Sequence, residues 1–344
     1  MRAASLRHYA RRQTDLIGDR RIGRKQAREL FSNAGVFAAR RSRVGCHHPD
    51  SASSNQNLSE TNLTRSLRLT ATAAFCSNRQ VLGPEARVVA ENLLQALRFF
   101  GHARVSSEII DLPGVSLIFC GLNYAAFNAA LLSQPVEEKP HELSRLVEIA
   151  SKKFGARDLR WTYWVCDDFL QPAALHEADR VFSRHGLRPL TEAPGMYTEK
   201  LFPPDRPLPA LEVRPVADAA TRNAFARIMS LTFEIPQSVC DAIYGFERAW
   251  MGNFHGYVGF ADGQAIASAA VALTGDAIGL YSVATLPSHR RRGYAEAIMR
   301  QVITNAERSA GVKRTVLQST RSGYSLYKKM GYRTVTNFNV YIAD

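Results

Sequence analysis

The chain has 344 residues, enough for two domains and a tail at roughly 100–200 residues per domain. Its composition, 46% hydrophobic and 22% charged, excludes whole-chain disorder and a fibrous repeat, and no apolar run reaches the ~18–20 residues of a membrane helix. The net charge of +13 is unevenly placed: residues 1–80 hold 15 Lys/Arg against 5 Asp/Glu, and the remainder hold 29 against 26.

The excess therefore belongs to a basic head rather than to a basic folded surface. It reads as a solvated tail, and a nucleic-acid partner stands well behind that reading. Residues 51–64 are rich in Ser, Asn and Thr with little to bury, so the head is expected to be poorly ordered, with short basic helices at most over 3–12 and 24–31. Arg and Ser richness is shared with organellar transit peptides, but Asp15, Asp19 and Glu29 count against one, and there is no apolar core of a secretory signal. A cytoplasmic protein is expected, with an organelle or an over-long translation start as alternatives. The five cysteines are odd in number and lack a Cys-x-x-Cys pair, which argues against a disulfide framework. Cys46-His47-His48 are adjacent and cannot easily all face one ion, so no metal is expected.

From residue 81 the texture changes. Residues 85–100 carry Val88, Val89, Leu93, Leu94, Leu97 and Phe100 at helical spacing, with Gly101 as the expected cap. Residues 104–110 and 115–120 read as strands about Leu112-Pro113-Gly114. Residues 119–132, with Asn123, Tyr124, Phe127 and Asn128, read either as a substrate loop or as a strand and turn. Residues 138–154 form an amphipathic helix, 159–166 a strand, 172–185 a helix opened by Pro172 and capped by Gly186, and 194–201 a further strand. Trp161, Trp164, Asp167 and Asp168 are candidates to line a cleft for a cationic amine, with core packing as the plainer alternative for the tryptophans and charge at a helix N-terminus for the aspartates.

Residues 202–209 contain four prolines in eight positions and read as a stiff linker between domains. Beyond it come a strand at 211–215, a helix capped by Asp218, a helical stretch over 237–250, and three strands over 256–261, 264–273 and 277–286. Asp262-Gly263 marks the first hairpin. A helix over 293–310 capped by Gly311, a strand over 312–318, a short helix over 322–330 capped by Gly331 and a strand over 332–342 complete a mixed α/β layered domain with a central sheet.

The chemistry is concentrated in residues 283–296, where a strand ends, a basic turn follows and a helix begins. The first amides of a helix have no internal acceptor and the dipole is positive there, so this is a place for a phosphate or pyrophosphate. Gly293 lets backbone approach a ligand, Ala295 is small, and Arg290, Arg291 and Arg292 add charge. Neither a Walker loop nor a dinucleotide fingerprint is present.

Arg290-x-x-Gly293-x-Ala295 resembles the Arg/Gln-x-x-Gly-x-Gly/Ala signature of the GNAT superfamily of N-acetyltransferases. The order of elements over 211–344 and the tail Leu326-Tyr327-Lys328-Lys329-Met330-Gly331-Tyr332 are similar to that family as well. The resemblance implies a GNAT-like acyl-CoA N-acyltransferase fold and acetyl-CoA as cosubstrate. It implies that the backbone of Val283, Ala284 and Thr285 pairs with the pantetheine arm. The amides of Arg291, Arg292, Gly293, Tyr294, Ala295 and Glu296 would hold the pyrophosphate. Tyr327 would protonate the departing thiolate as general acid. Thr320 stands where many members carry an asparagine, and Leu280-Tyr281-Ser282 occupy the positions where many carry a carboxylate, leaving Glu234 as the candidate base.

Residues 81–201 look like a degenerate second copy of the same fold. Their strand, helix, glycine and strand run parallels the end of the chain, Gly186-Leu187 matching Gly331-Tyr332, but without the arginine–glycine loop. The expected organisation is a basic head (1–80), a degenerate GNAT-like domain (81–201), a Pro-rich linker (202–210) and a catalytic GNAT domain (211–344). The expected activity is acetyl transfer to a primary amine, on a small molecule, amino acid or peptide N-terminus, by a monomer or homodimer. The alternative is an acyl-CoA sensor without catalysis.

Overall fold

The computed structural model describes residues 83–343 apart from Glu138 and Pro140. The expectations for the basic head, including its short helices and Cys46-His47-His48, lie outside the described residues.

The first half of the described chain runs α1 (Pro84–Leu97), β1 (Glu108–Leu112), β2 (Val115–Phe119), β3 (Ala129–Leu132), α2 (Glu142–Gly155), β4 (Thr162–Cys166), α3 (Pro172–Arg184) and β5 (Leu187–Thr198). The second half runs β6 (Glu212–Pro215), α4 (Ala219–Phe233), α5 (Gln237–Tyr244), β7 (Phe254–Ala261), β8 (Gln264–Thr274), β9 (Ala277–Thr285), α6 (Tyr294–Ala310), β10 (Thr315–Gln318), α7 (Tyr324–Lys329) and β11 (Arg333–Ala343).

Local chemistry explains most boundaries. Asp218 accepts from the Thr221 amide at 2.7 Å while Thr221 Oγ1 caps back, so α4 begins where expected. Asp262 and Gly263 both have positive φ (50° and 74°), the geometry of a two-residue hairpin turn. Gly186, Gly311 and Gly331 take φ of 77°, 69° and 102° at helix ends, as expected of left-handed caps. Three expectations fail. Gly101 does not cap α1, which passes into a 3-10 turn over Arg98–His102; a Cβ at Gly101 would lie 2.2 Å from Ile109, so close packing explains the glycine. The helical stretch expected over 237–250 stops at Gly245, and a separate 3-10 turn spans Glu247–Met251. Residues 187–198 form one strand that runs through Pro189 and Pro194, where a strand over 194–201 was expected.

All eleven strands form one sheet, in the order β1-β2-β3-β4-β11-β5-β10-β9-β8-β7-β6. The unit β4–α3–β5 of the first half repeats as β10–α7–β11 in the second, so the order is nearly symmetric about the β11–β5 boundary. The last strands are exchanged. β11 lies between β4 and β5, and β5 lies between β11 and β10. Packing follows the exchange. Tyr341 of β11 stacks on Phe182 of α3 with ring centroids 3.8 Å apart and donates its hydroxyl to Asp179 at 2.9 Å. Met196 of β5 is buried with Ile298 and Met299 of α6.

In the second half, side chains alternate along β8. Ala267, Ala269 and Val271 pack with α6 and α7, while Ala270 and Ala272 pack with α4 and α5. The two helix pairs thus cover opposite faces, the alternation a strand requires. Helix α1 of the first half closes the second of these faces. Asn92, fully buried, donates to the Ala272 carbonyl at 3.0 Å and to Thr274 Oγ1 at 2.9 Å, and accepts from the Tyr281 hydroxyl at 2.7 Å.

Candidate functional site

The site grows from the way β9 leaves β10. The two are parallel neighbours only at Ile278 and Gly279. β9 then continues to Thr285 without that partner, while β10 turns its other edge to β5. A wedge opens between the strands, and the β9 edge from Leu280 to Thr285 faces it with unpaired main-chain groups. A bulge sits on this edge. Ser268 is opposite Ala284 and Ala270 opposite Tyr281, so Ser282 and Val283 share one partner position, and Ser282 takes φ of 50°. The extra residue inverts the alternation: Val283 packs with the α6–α7 cluster and Ala284 with the α4–α5 cluster.

The turn after β9 is tightly wound. Pro287–His289 form a 3-10 turn, Arg291 takes φ of 63°, and Gly293 takes φ of 92° as the N-cap of α6. The first α6 amide to find a main-chain acceptor is that of Ala297, which donates to the Gly293 carbonyl at 3.0 Å. The amides of Tyr294, Ala295 and Glu296 therefore have no intrahelical acceptor and are turned outward. A Cβ at Gly293 would lie 3.1 Å from Pro209, and the left-handed φ disfavours any side chain there.

The expected site residues divide by what their side chains touch. The Arg290 guanidinium is turned inward, donating to the carbonyls of Thr285 and Thr232, both at 3.3 Å, and so ties the turn to the end of α4. Arg291 and Arg292 are exposed. Glu296 is paired with Arg300 at 2.7 Å, which leaves its amide as the group available to a ligand. Thr285 is buried with its hydroxyl unpartnered, and Gln318, across the wedge, has an unpartnered buried Oε1. Thr320 Oγ1 accepts from the Gly323 amide at 3.1 Å and organises the start of α7. Tyr327, 8% exposed, packs edge-on against Tyr332, and burial pushes its phenol up to about 12. Glu234 is exposed in a left-handed C-cap of α4, two residues from the carbonyl that receives Arg290, which puts it at the turn end of the wedge.

One contributor was not read from the sequence. The Pro-rich segment is bound along α6 and α7: the Phe202 amide donates to the Met330 carbonyl, the Phe202 carbonyl accepts from the Arg300 guanidinium, and the Gln301 side chain donates to the Leu211 carbonyl. This places Arg206 over the turn, its Nη2 donating to the Arg291 carbonyl at 3.4 Å. The signal was an arginine among prolines, which a linker reading passes over.

The first half repeats the parallel pair, as β3 against β4, but the wedge is shut. The Val136 amide, beyond β3, donates to the Phe169 carbonyl, beyond β4, at 2.8 Å. The expectation of an amine cleft at Trp161, Trp164, Asp167 and Asp168 is not met. Trp161 is buried and stacked on Phe154 with centroids 4.5 Å apart. Asp167 accepts from Asn339 at 2.6 Å and Asp168 from Thr336 at 2.5 Å, so both are committed to β11. In residues 119–132 the strand-and-turn reading holds, with β3 at its end and Asn128 buried as a hub donating to the carbonyls of Leu122 and Arg160.

The splayed parallel pair, the arginine–glycine turn and the helix start agree with what the resemblance to the GNAT acyltransferases implies. The description "Acetyltransferase (GNAT) domain" matches residues 252–334. That match lies in the second half of the chain, and the fold of the described residues is GNAT-like. A GCN5-related N-acetyltransferase from Kribbella flavida is similar in structure, with TM-score 0.56 and 19% identity over 76% of this chain and 96% of that one. A tandem GNAT protein from the clavulanic acid biosynthesis pathway aligns with TM-score 0.47 and 12% identity over 75% of this chain and 93% of that one. No curated protein matches the sequence. Among the described residues no helix is long and apolar enough to cross a membrane.

Proposed function

We propose that the chain is an acetyl-CoA-dependent N-acetyltransferase for a primary amine, with one active centre per chain, in the second half. The observation that carries this is the open edge of β9 leading into the positive-φ Gly293 turn, where the first α6 amides are left without an intrahelical acceptor. Acetyl-CoA fits these residues: a thin pantetheine arm suits a strand edge, and a pyrophosphate suits outward-turned amides with Arg206, Arg291 and Arg292 around them. When bound it supplies an activated acetyl thioester.

The residues divide the work as follows. The β9 main chain orients the donor. An amide at Val283 or Ala284, re-aimed by the bulge, stabilises negative charge on the thioester oxygen during attack, a contribution of about 3 kcal/mol for one such donor. Tyr327 gives its proton to the thiolate. A phenol held at about 12 stays protonated through neutral pH, as a donor must. Leu280, Tyr281 and Ser282 offer no carboxylate, so Glu234 takes the amine proton through water. The first half contributes α1, whose Asn92 fixes Tyr281 beside the wedge.

Isothermal titration of acetyl-CoA and CoA into the full chain tests this, with Gly293→Asp as the variant. Binding with Kd of about 1–50 μM, weakened more than tenfold in the variant, is expected, since the change adds strain and negative charge where a phosphate sits. Thiol release with a panel of amines then reports turnover. Binding without turnover with any amine would favour the acyl-CoA sensor, and no binding to folded protein would sink both readings.

A further inference from the structure

We infer that the chain has a second ligand site, separate from the Gly293 turn, that binds a small organic oxyanion with an apolar, ring-sized body. It is a cleft of about 590 Å³ where the two halves meet, between residues 95–107 of the first and 246–254 of the second. Arg104, Arg248 and His102 line it, with Arg98 beside them, and no acidic side chain does. Arg98 is neutralised by a bidentate bond to Asp111, both contacts at 2.9 Å. Arg104, Arg248 and His102 make no ion pair among the described residues. The Arg104 and Arg248 guanidinium groups at one hollow concentrate the field there and raise the local concentration of an anion. Two planar guanidinium forks recognise a carboxylate or phosphate.

The apolar requirement comes from the wall and rim, above a buried aromatic floor. Phe99 and Phe254 line the cleft with ring centroids 4.5 Å apart, and each is 5% exposed or less. Phe246 stands on the wall and Val105, 92% exposed, on the rim. An exposed valine beside the half-buried Phe246 leaves apolar surface in water at roughly 25 cal/mol for each Å² that a ligand would cover. A bare inorganic anion would use the arginines and not the apolar wall and rim, and a neutral aromatic would use the wall and rim and not the arginines.

The proposal does not rest on acetyl-CoA binding, because no residue of the 283–296 turn lines the cleft. The test titrates phenyl phosphate, benzoate, inorganic phosphate and benzyl alcohol into the full chain. Calorimetry is read alongside tryptophan emission, since the Trp250 ring lies 5.0 Å from Phe99. Phenyl phosphate or benzoate should bind at least tenfold more tightly than inorganic phosphate and benzyl alcohol, and which of the two leads identifies the anion. Arg104→Gln and Arg248→Gln should each weaken binding about tenfold with the melting temperature unchanged, whereas Gly293→Asp should leave it intact. Absence of saturable binding, equal binding of benzyl alcohol, persistence in the Arg104→Gln, Arg248→Gln double variant, or loss in Gly293→Asp would each overturn the assignment.

Discussion

Two side chains decide whether the turn after β9 is a working site. Tyr327 is buried against Tyr332 and its phenol is held at about 12. Tyr327→Phe should lower kcat about 100-fold, the scale of one acid–base contribution, with KM for acetyl-CoA within twofold. Because the wild-type phenol ionises only near 12, kcat should show no alkaline decline between pH 7 and 10; a fall with a midpoint near 9 would remove Tyr327 from the role of acid. Arg206 is the other. Its flanking prolines restrict the segment's backbone and hold the guanidinium over the Arg291 carbonyl, so little entropy is lost on meeting a phosphate. Arg206→Gln should raise KM for acetyl-CoA about 5–30-fold and leave kcat unchanged, measured by thiol release. An unchanged KM would make Arg206 a strap for the linker and nothing more.

Among elements, the exchanged strand β11 carries a cost that can be measured. Its Asn339 donates to Asp167 Oδ1, yet burial, the neighbouring Asp168 and Glu192 together push the Asp167 carboxyl up to about 6. A carboxyl raised in the folded state binds its proton more tightly there than in the unfolded chain. Its contribution is therefore fully present below the unfolded value near 3.8 and is lost as pH rises through about 6. Asp167→Asn keeps an acceptor for Asn339 and removes the charge. It should raise the urea midpoint at pH 8, with the gain shrinking as pH falls from 6 towards 4. A gain that is constant across that range would assign the effect to packing instead.

The whole molecule is interlocked by its two exchanged strands. β5 pairs with β10 and β11, and β11 pairs with β4 and β5, so each half presents its last strand to the other half's sheet. Residues 83–201 and 211–344 produced alone should each show the weak secondary-structure signal and exposed apolar surface of an incomplete sheet. Co-expression should restore one soluble complex with the far-ultraviolet spectrum of the intact chain. Independent cooperative folding of either piece would show that the exchange is dispensable and that the boundary at 202–210 separates autonomous domains. The same interlock explains why a half with a closed wedge is retained: it supplies β5 to the sheet beside β10 and α1 over Tyr281.

The sequence determined what depends on neighbours along the chain. The 3.6-residue and two-residue periodicities gave most elements, Asp218 gave its cap, and Asp262-Gly263 its turn. The arginine–glycine turn between strand and helix was legible because a phosphate-ready helix start is built from consecutive residues. The tertiary structure decided what depends on residues far apart. Proline at 194 suggested a strand start, yet β10 pairs β5 only from Gly195 to Thr198, so at Pro189 and Pro194 the strand has a ladder partner on one edge alone, a missing donor is tolerated, and β5 runs through. Asp167 and Asp168 looked free to meet an amine until β11, some 170 residues on, arrived to bind them. The first half's wedge closed through a single main-chain bond from Val136 to Phe169 that no local pattern announces. Strand exchange and wedge closure are both choices between nearly equivalent hydrogen-bond partners. Such choices are settled by which surfaces the complete sheet can bury, not by the propensity of any one segment.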